Sequence, residues 1–129
     1  MSKFREYLLS TGKKVFAGKN ASQNDELVSL AKPNNVLIHT LEPGSSFINL
    51  GENPTKEEIK QASLLCAQKS QYWRDNKKDV LIHLFLKSDT YKNKKDKPGL
   101  WHVKKTIKTI KVKKIDILNL ENDVKWFIP

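Results

Sequence analysis

The chain has 129 residues, 24 of them Lys or Arg and 14 Asp or Glu, for a formal net charge of +10, with 29% charged and 38% hydrophobic residues. That length suits one domain of ordinary size, and the apolar share is low yet above that of a disordered tail, so a single core over residues 1–129 is expected. No run of about 18 apolar residues could span a bilayer, MSKFREYLLSTGKK lacks the apolar stretch of a signal peptide, and Cys66, the only cysteine, leaves no internal disulfide or CxxC metal site. The expectation is a cytoplasmic protein with no membrane span, no metal and no cofactor.

The charge is uneven along the chain. Twenty-two of the 24 basic residues are Lys, with only Arg5 and Arg74 as Arg, a bias that an AT-rich genome would produce without selection for binding. Codon drift scatters lysines, however, whereas residues 87–114 hold eleven of them against Asp89 and Asp96, a net +9. The other 101 residues carry 13 basic and 12 acidic groups. Such a segment reads as an electrostatic footprint for a polyanion, with nucleic acid placed ahead of a solvated Lys-rich face.

In chain order, Phe4 to Leu9 and Val15 to Ala17 flank Thr11-Gly12 and predict a hairpin. Ser22 as N-cap with Asp25 three residues on, followed by Leu27, Val28 and Leu30, predicts a short helix near Gln23 to Ala31, stopped by Pro33-Asn34-Asn35. Val36 to His39 and Phe47 to Leu50 read as strands on either side of Pro43-Gly44. Thr55 and Glu58 have capping-box spacing. Behind them Ile59, Ala62, Ser63, Cys66 and Trp73 recur at helical steps, so one long helix from Thr55 to Arg74 is expected, with Cys66 as packing rather than as a nucleophile. Val80 to Leu86 is a strand, Lys87 to Gly99 a loop, and Leu100 to Val103 with Ile107 to Val112 a closing hairpin whose outer face is lysine. Residues 115–129 are apolar enough to dock back, with a period ambiguous between strand and helix. The fold class expected is α+β: an antiparallel sheet, one long helix packed across it and a second short helix.

Three clusters invite a chemical reading. Lys19, Asn20, Gln23, Asn24 and Asp25 follow Gly18 at a strand end and helix start, where backbone amides and Lys attract an anion and amide side chains can read RNA; a polar turn with a helix cap fits the same residues. His39 precedes Pro43, Gly44, Ser45 and Ser46. A nucleophile reading of His39 with Ser45 or Ser46 lacks a G-x-S-x-G elbow, while a turn cradling phosphate needs only Gly and hydroxyl donors. Trp101 and His102 follow Lys97-Pro98-Gly99, as a stacking platform among lysines or as an inward core Trp. His83 alternates with apolar residues and reads as a sheet histidine.

Together, Gly18-Lys19-Asn20-x-x-Gln23-Asn24-Asp25-x-Leu27, His39, Pro43-Gly44-Ser45, a helix with Ala62, Ala67, Ser70 and Arg74, and Lys97-Pro98-Gly99 occur in an order that resembles the NFACT-R domain. That domain is the RNA-binding module at the C-terminal end of ribosome-associated quality-control factors, among them bacterial fibronectin-binding-protein-A-like proteins. The resemblance covers about Phe4 to Lys114. It implies a non-catalytic α+β domain that engages tRNA or ribosomal RNA on ribosomes bearing stalled chains, through Lys19, Asn20, Gln23, Asn24, Asp25, His39, Pro43, Gly44, Ser45 and Arg74. This chain has Leu37 where many members have Trp and Ser46 where they have His, and the N-terminal, helix-hairpin-helix and coiled-coil regions are missing, so it looks like a stand-alone member.

The resulting expectation is an RNA-binding protein in which Lys92, Lys94, Lys95, Lys97, Lys104 and Lys105 supply affinity with Trp101, and the Gly18 to Asp25 and His39 to Ser46 segments supply selectivity. A small hydrolase built on His39 and Ser45 or Ser46, and a basic module for DNA, acidic protein or anionic membrane, are the alternatives.

Overall fold

The computed structural model describes residues 3–122. Its centre is a six-stranded antiparallel sheet of β1 (Arg5–Leu8), β2 (Lys14–Ala17), β3 (Val36–Thr40), β4 (Ile48–Asn49), β5 (Val80–Leu86) and β8 (Lys108–Val112), in the order β1-β2-β4-β3-β5-β8. A separate two-stranded ribbon pairs β6 (Thr90–Tyr91) with β7 (His102–Val103). Among the described residues four α-helices accompany the sheets: α1 (Ala21–Leu30), α2 (Lys56–Gln68), α3 (Gln71–Asn76) and α4 (Lys114–Asn122). The α+β class read from the sequence is the observed one.

The period-2 alternation of the strands divides the core in two. Val15, Ile38, Ile48, Val80, Ile82 and Val112 point to one face and bury against Ala62, Leu65, Cys66, Trp73, Ile117 and Leu120 of α2, α3 and α4. Leu37, Phe47 and Phe85 on the other side meet Leu27 and Val28 of α1 and Ala31 at its C-cap, with Phe16, Trp101 and Val103 packed partly against them. The second cover is incomplete. Along β3 and β5 it ends at His39, which lies opposite His83 in the strand register.

Several local expectations hold for stated reasons. The Thr55 side chain accepts from the Glu58 amide and Glu58 bonds back to the Thr55 amide, closing the capping box that starts α2. The first hairpin turns at Gly12 with φ of +90°. Asp79 accepts from the Lys114 amide at 2.7 Å at the start of α4, resolving the ambiguous C-terminal period as helix up to Asn122; the remainder of the expected docking segment, 123–129, lies outside the described residues.

Four expectations are corrected. The cap of α1 is Asn20, whose side chain accepts from the Gln23 amide, so the helix begins earlier and Ser22 lies inside it. The long helix breaks at Lys69-Ser70: the Ser70 hydroxyl donates to Ala67 O at 2.7 Å and accepts from the Trp73 amide, ending one helix and capping the next. That break turns Trp73 fully into the core, where its indole N–H donates to Glu121, so a stripe that sequence reads as one helix is made by two. The loop at 87–99 contains β6, and the expected closing hairpin is not formed. Instead β7 pairs with β6 while β8 pairs with the long apolar β5, because Lys104 to Ile107 carries the chain from the ribbon to the main sheet, with the Ile107 amide bonded to Leu84 O.

Candidate nucleic-acid interface

Where the second cover stops, a cleft of about 750 Å³ opens. Its walls come from five places in the sequence: Arg5, the turn Gly18 to Ala21 with Asn24, the end of β3 and the loop after it through Thr40, Leu41 and Pro43 to Phe47, Lys69 with Arg74, and Lys97 to Trp101; His39, His83 and Phe85 lie on the strands beneath. Arg5, Lys19, Lys69, Arg74 and Lys97 are cationic, and no Asp or Glu is among the described lining residues. The first turn of α1 also opens here, adding the positive end of a helix dipole. The arrangement suits a polyanion.

Interlocking bonds fix the walls. Asn24 is buried, accepting from the Phe47 amide at 3.2 Å and donating to Ser45 O at 3.5 Å, while Ser46 Oγ donates to Gly18 O at 2.6 Å. The turn before α1 is thereby stapled to the loop after β3. Gly18 is required by that closeness, since a Cβ there would lie 2.1 Å from Asn24 Oδ1. Gly44 has φ of +93°, accepts from the Gln71 amide at 2.9 Å, and would place a Cβ 2.7 Å from the Gln71 side chain. The same helix start carries Arg74, whose guanidinium is held by Lys69 O at 3.0 Å and Gln71 Oε1 at 3.1 Å.

Asp25 Oδ1 accepts from the Gly99 amide at 2.9 Å, Trp101 Nε1 at 3.0 Å and Lys92 Nζ at 3.2 Å. One carboxylate therefore ties the Lys97-to-Trp101 loop to α1, and Lys92 also lies 5.3 Å from the Trp101 ring centroid. Trp101 is half-buried, its indole edge anchored and part of its surface in the cleft.

His39 Nδ1 lies 2.6 Å from the Thr40 carbonyl oxygen. An oxygen acceptor requires that this nitrogen carry the proton. Burial lowers the His39 pKa from the usual imidazole value, outweighing the main-chain hydrogen bonds at Thr40 and Ser45 that raise it. Its ring packs on Phe47 with centroids 4.4 Å apart. Ser45 Oγ accepts from the Thr40 amide and donates to Ser46 O. Cys66 supports this loop from below, its Sγ 3.7 Å from Ser46 O, and burial pushes the thiol up to about 12. His39 and Ser45 are thus bonded to main chain, and among the described residues no hydrogen bond joins the His39 ring to a serine hydroxyl. Nor do any three or more His, Cys, Asp or Glu among those residues form a metal cluster, and no helix among them is long and apolar enough to cross a membrane.

Of the residues singled out from the sequence, Lys19, Asn20, Asn24, His39, Gly44, Ser45, Ser46, Arg74, Lys97 and Trp101 line this one cleft. Gln23 and Asp25 lie behind it; Gln23 Oε1 accepts from the Lys19 amide at 2.9 Å. Lys92 reaches Asp25, and Lys104 lies 5.8 Å from the ring of Tyr91, which stacks on His102 on the ribbon. Lys94, Lys95 and Lys105 are exposed and outside the lining. Sequence reasoning missed Arg5, Lys69 and His83 as wall and floor residues. Strand parity placed His83 on a face with Phe85, but only the β3–β5 register puts it beside His39.

The lysine-rich segment is itself divided. Lys97 lines the cleft, whereas Lys108 and Lys111 line a second groove of about 440 Å³ with Lys56, Lys60, Ile59 and Leu120, against α2 and α4. Net charge alone therefore does not locate a binding surface.

Comparison with known proteins bears on this arrangement. No curated protein matches the chain. Among solved structures, the C-terminal part of the fibronectin/fibrinogen-binding protein from Streptococcus suis superposes with a TM-score of 0.77 at 26% identity, over 92% of this chain and 49% of that one, so this chain spans about half the length of that structure. The model of the NFACT protein RNA binding domain matches residues 3–106, a span that contains every wall of the cleft. Sharing that family's sequence pattern across most of its length, the chain belongs to the NFACT protein RNA binding domain family.

Proposed function

We propose that the protein is a non-catalytic RNA-binding module that takes tRNA or ribosomal RNA into the cleft, in a cytoplasmic translation or ribosome-associated quality-control setting. The observation that carries this reading is the meeting, in one cleft, of ten residues singled out from the sequence, with five cations that face no lining carboxylate. Family membership supports RNA as the polyanion.

Within the cleft the roles divide by chemistry. Lys19, Lys97, Arg5 and Arg74 offer phosphate contacts that give affinity without sequence information. Arg74, with two of its donor positions fixed by Lys69 and Gln71, presents a fork already oriented for a phosphate. Asn24, Asp25, Ser45 and Ser46 act by holding the walls in place, so their effect on RNA runs through preorganisation. The main-chain bonding of His39 and Ser45 favours this role over a hydrolytic one.

A titration of labelled tRNA and of a ribosomal RNA fragment against salt tests the reading. Affinity should fall steeply between about 50 and 200 mM salt as neutralised phosphates release counterions. Absence of binding to either RNA at about 50 mM salt would refute it.

A further inference from the structure

We propose that the cleft is shaped for an unpaired nucleotide, the base lying against a floor of imidazole and indole and its flanking phosphates on the cationic walls, so that single-stranded or looped RNA enters and duplex RNA does not. This rests on the RNA-binding reading above and adds which form of RNA the site accepts.

Three observations carry it. The floor is built of flat rings: His39 and His83 lie side by side across β3 and β5, both half-buried, and Trp101 stands at the edge with its indole N–H fixed by Asp25. Burial lowers the His39 pKa, which favours an uncharged stacking ring there, while Arg5, Lys19, Lys69, Arg74 and Lys97 stand on the walls. The volume, about 750 Å³, falls within the range of about 300–1,000 Å³ in which pockets enclose a ligand of nucleotide size.

Base pairing withholds what this floor needs. In an A-form duplex the base faces are stacked on one another, the major groove is too deep and narrow for side chains, and the surface offered is phosphate and 2′-hydroxyl. Such a duplex can touch the rim lysines but presents no base face to His39, His83 or Trp101. An unpaired nucleotide satisfies both parts at once, as in single-strand sites that combine a basic groove with aromatic stacking. The walls are braced by the Asn24, Ser46 and Asp25 bonds before RNA arrives, so little ordering is required on binding.

The test compares three labelled RNAs by fluorescence anisotropy at one salt concentration: a short single strand, the same strand annealed into a blunt duplex, and a stem-loop. The single strand and the stem-loop should bind at least about tenfold tighter than the duplex, since one stacked base accounts for a factor of that order. His83→Ala should weaken single-strand binding about five- to fiftyfold while leaving duplex binding and the salt slope unchanged, and His83→Phe, which restores a flat ring, should recover most of the loss. Equal affinity for duplex and single strand overturns the inference, as does a folded His83→Ala with unchanged single-strand affinity. Should His83→Ala fail to fold, the three-RNA comparison on the unmodified protein decides alone. Failure of all three RNAs to bind would instead strike the RNA-binding reading itself.

Discussion

Ile38 and Ile82 are wholly buried under the helices on one side of the sheet, while their strand neighbours His39 and His83, facing the other way, are half-exposed on the floor of the cleft. The helix side is closed by α2, α3 and α4 around Trp73, Leu65 and Ile117. The opposite side is closed only in part by α1 and the ribbon, and polar or charged residues take over where the cover ends. Strand alternation thus assigns stability to one face and recognition to the other, and substitutions on the two faces should separate these properties.

The largest expected effect is on the helix side. Trp73→Ala should lower folding stability by about 3–5 kcal/mol in a denaturant titration, because it removes a fully buried indole and one of the two side chains that donate to Glu121. Trp101→Ala, at a half-buried site, should cost clearly less; equal costs would mean that the faces are not divided in this way.

Asn24→Ala sharpens the boundary between the faces. It leaves the buried Phe47 amide without its acceptor and unpins Ser45, so stability should fall by about 1–3 kcal/mol while the salt dependence of RNA binding stays the same. Weakened RNA affinity with unaltered stability would make Asn24 a ligand contact rather than a brace.

A smaller effect concerns pH. His39 has its folded pKa below the usual value of about 6.5, so as pH falls past that value the unfolded chain takes up a proton before the folded one does. His39 therefore contributes a loss of stability that begins near pH 6.5 and grows as pH falls towards the folded pKa. Comparing melting temperatures at about pH 7.5 and 5.5, His39→Gln should show a shallower decline than the unmodified chain. An identical decline would mean that His39 titrates as freely in the folded protein as in the unfolded one.

The smallest signal belongs to Cys66. With its thiol pushed up to about 12, only about one molecule in ten thousand carries a thiolate at pH 8, so iodoacetamide should leave the native protein unmodified and label it once unfolded. Rapid labelling of the folded chain would show that the support beneath Ser45 and Ser46 opens.

How much of this was legible in the sequence depended on the range of the signal. Thr55 and Glu58 announce a helix start by themselves, as the uninterrupted apolar run of Val80 to Leu86 announces a strand, because both are set by neighbours. The helix break at Ser70 was hidden because Trp73 continues the apolar spacing of α2 although a second helix carries it. The false closing hairpin had a similar origin, since alternation reveals that Lys108 to Val112 is a strand but not which strand it joins. For the site, motif order brought most wall residues to attention, yet their roles depend on long-range partners. Asp25 and Asn24 read as RNA contacts until Gly99, Trp101 and Phe47 are seen to occupy them. The run of lysines marked a partner class without revealing that Lys97 lines the cleft while Lys108 and Lys111 line a separate groove.

That separation permits the most direct test of the central claim, that the placement of charge in the cleft governs RNA binding rather than total charge. Lys19→Gln with Lys97→Gln, and Lys108→Gln with Lys111→Gln, remove the same charge from the cleft and from the second groove and can be compared by the salt dependence of tRNA affinity. The cleft pair should reduce the log–log slope by about 1.4 to 1.8 and the groove pair by less than about half of that; equal reductions in both variants would contradict the account.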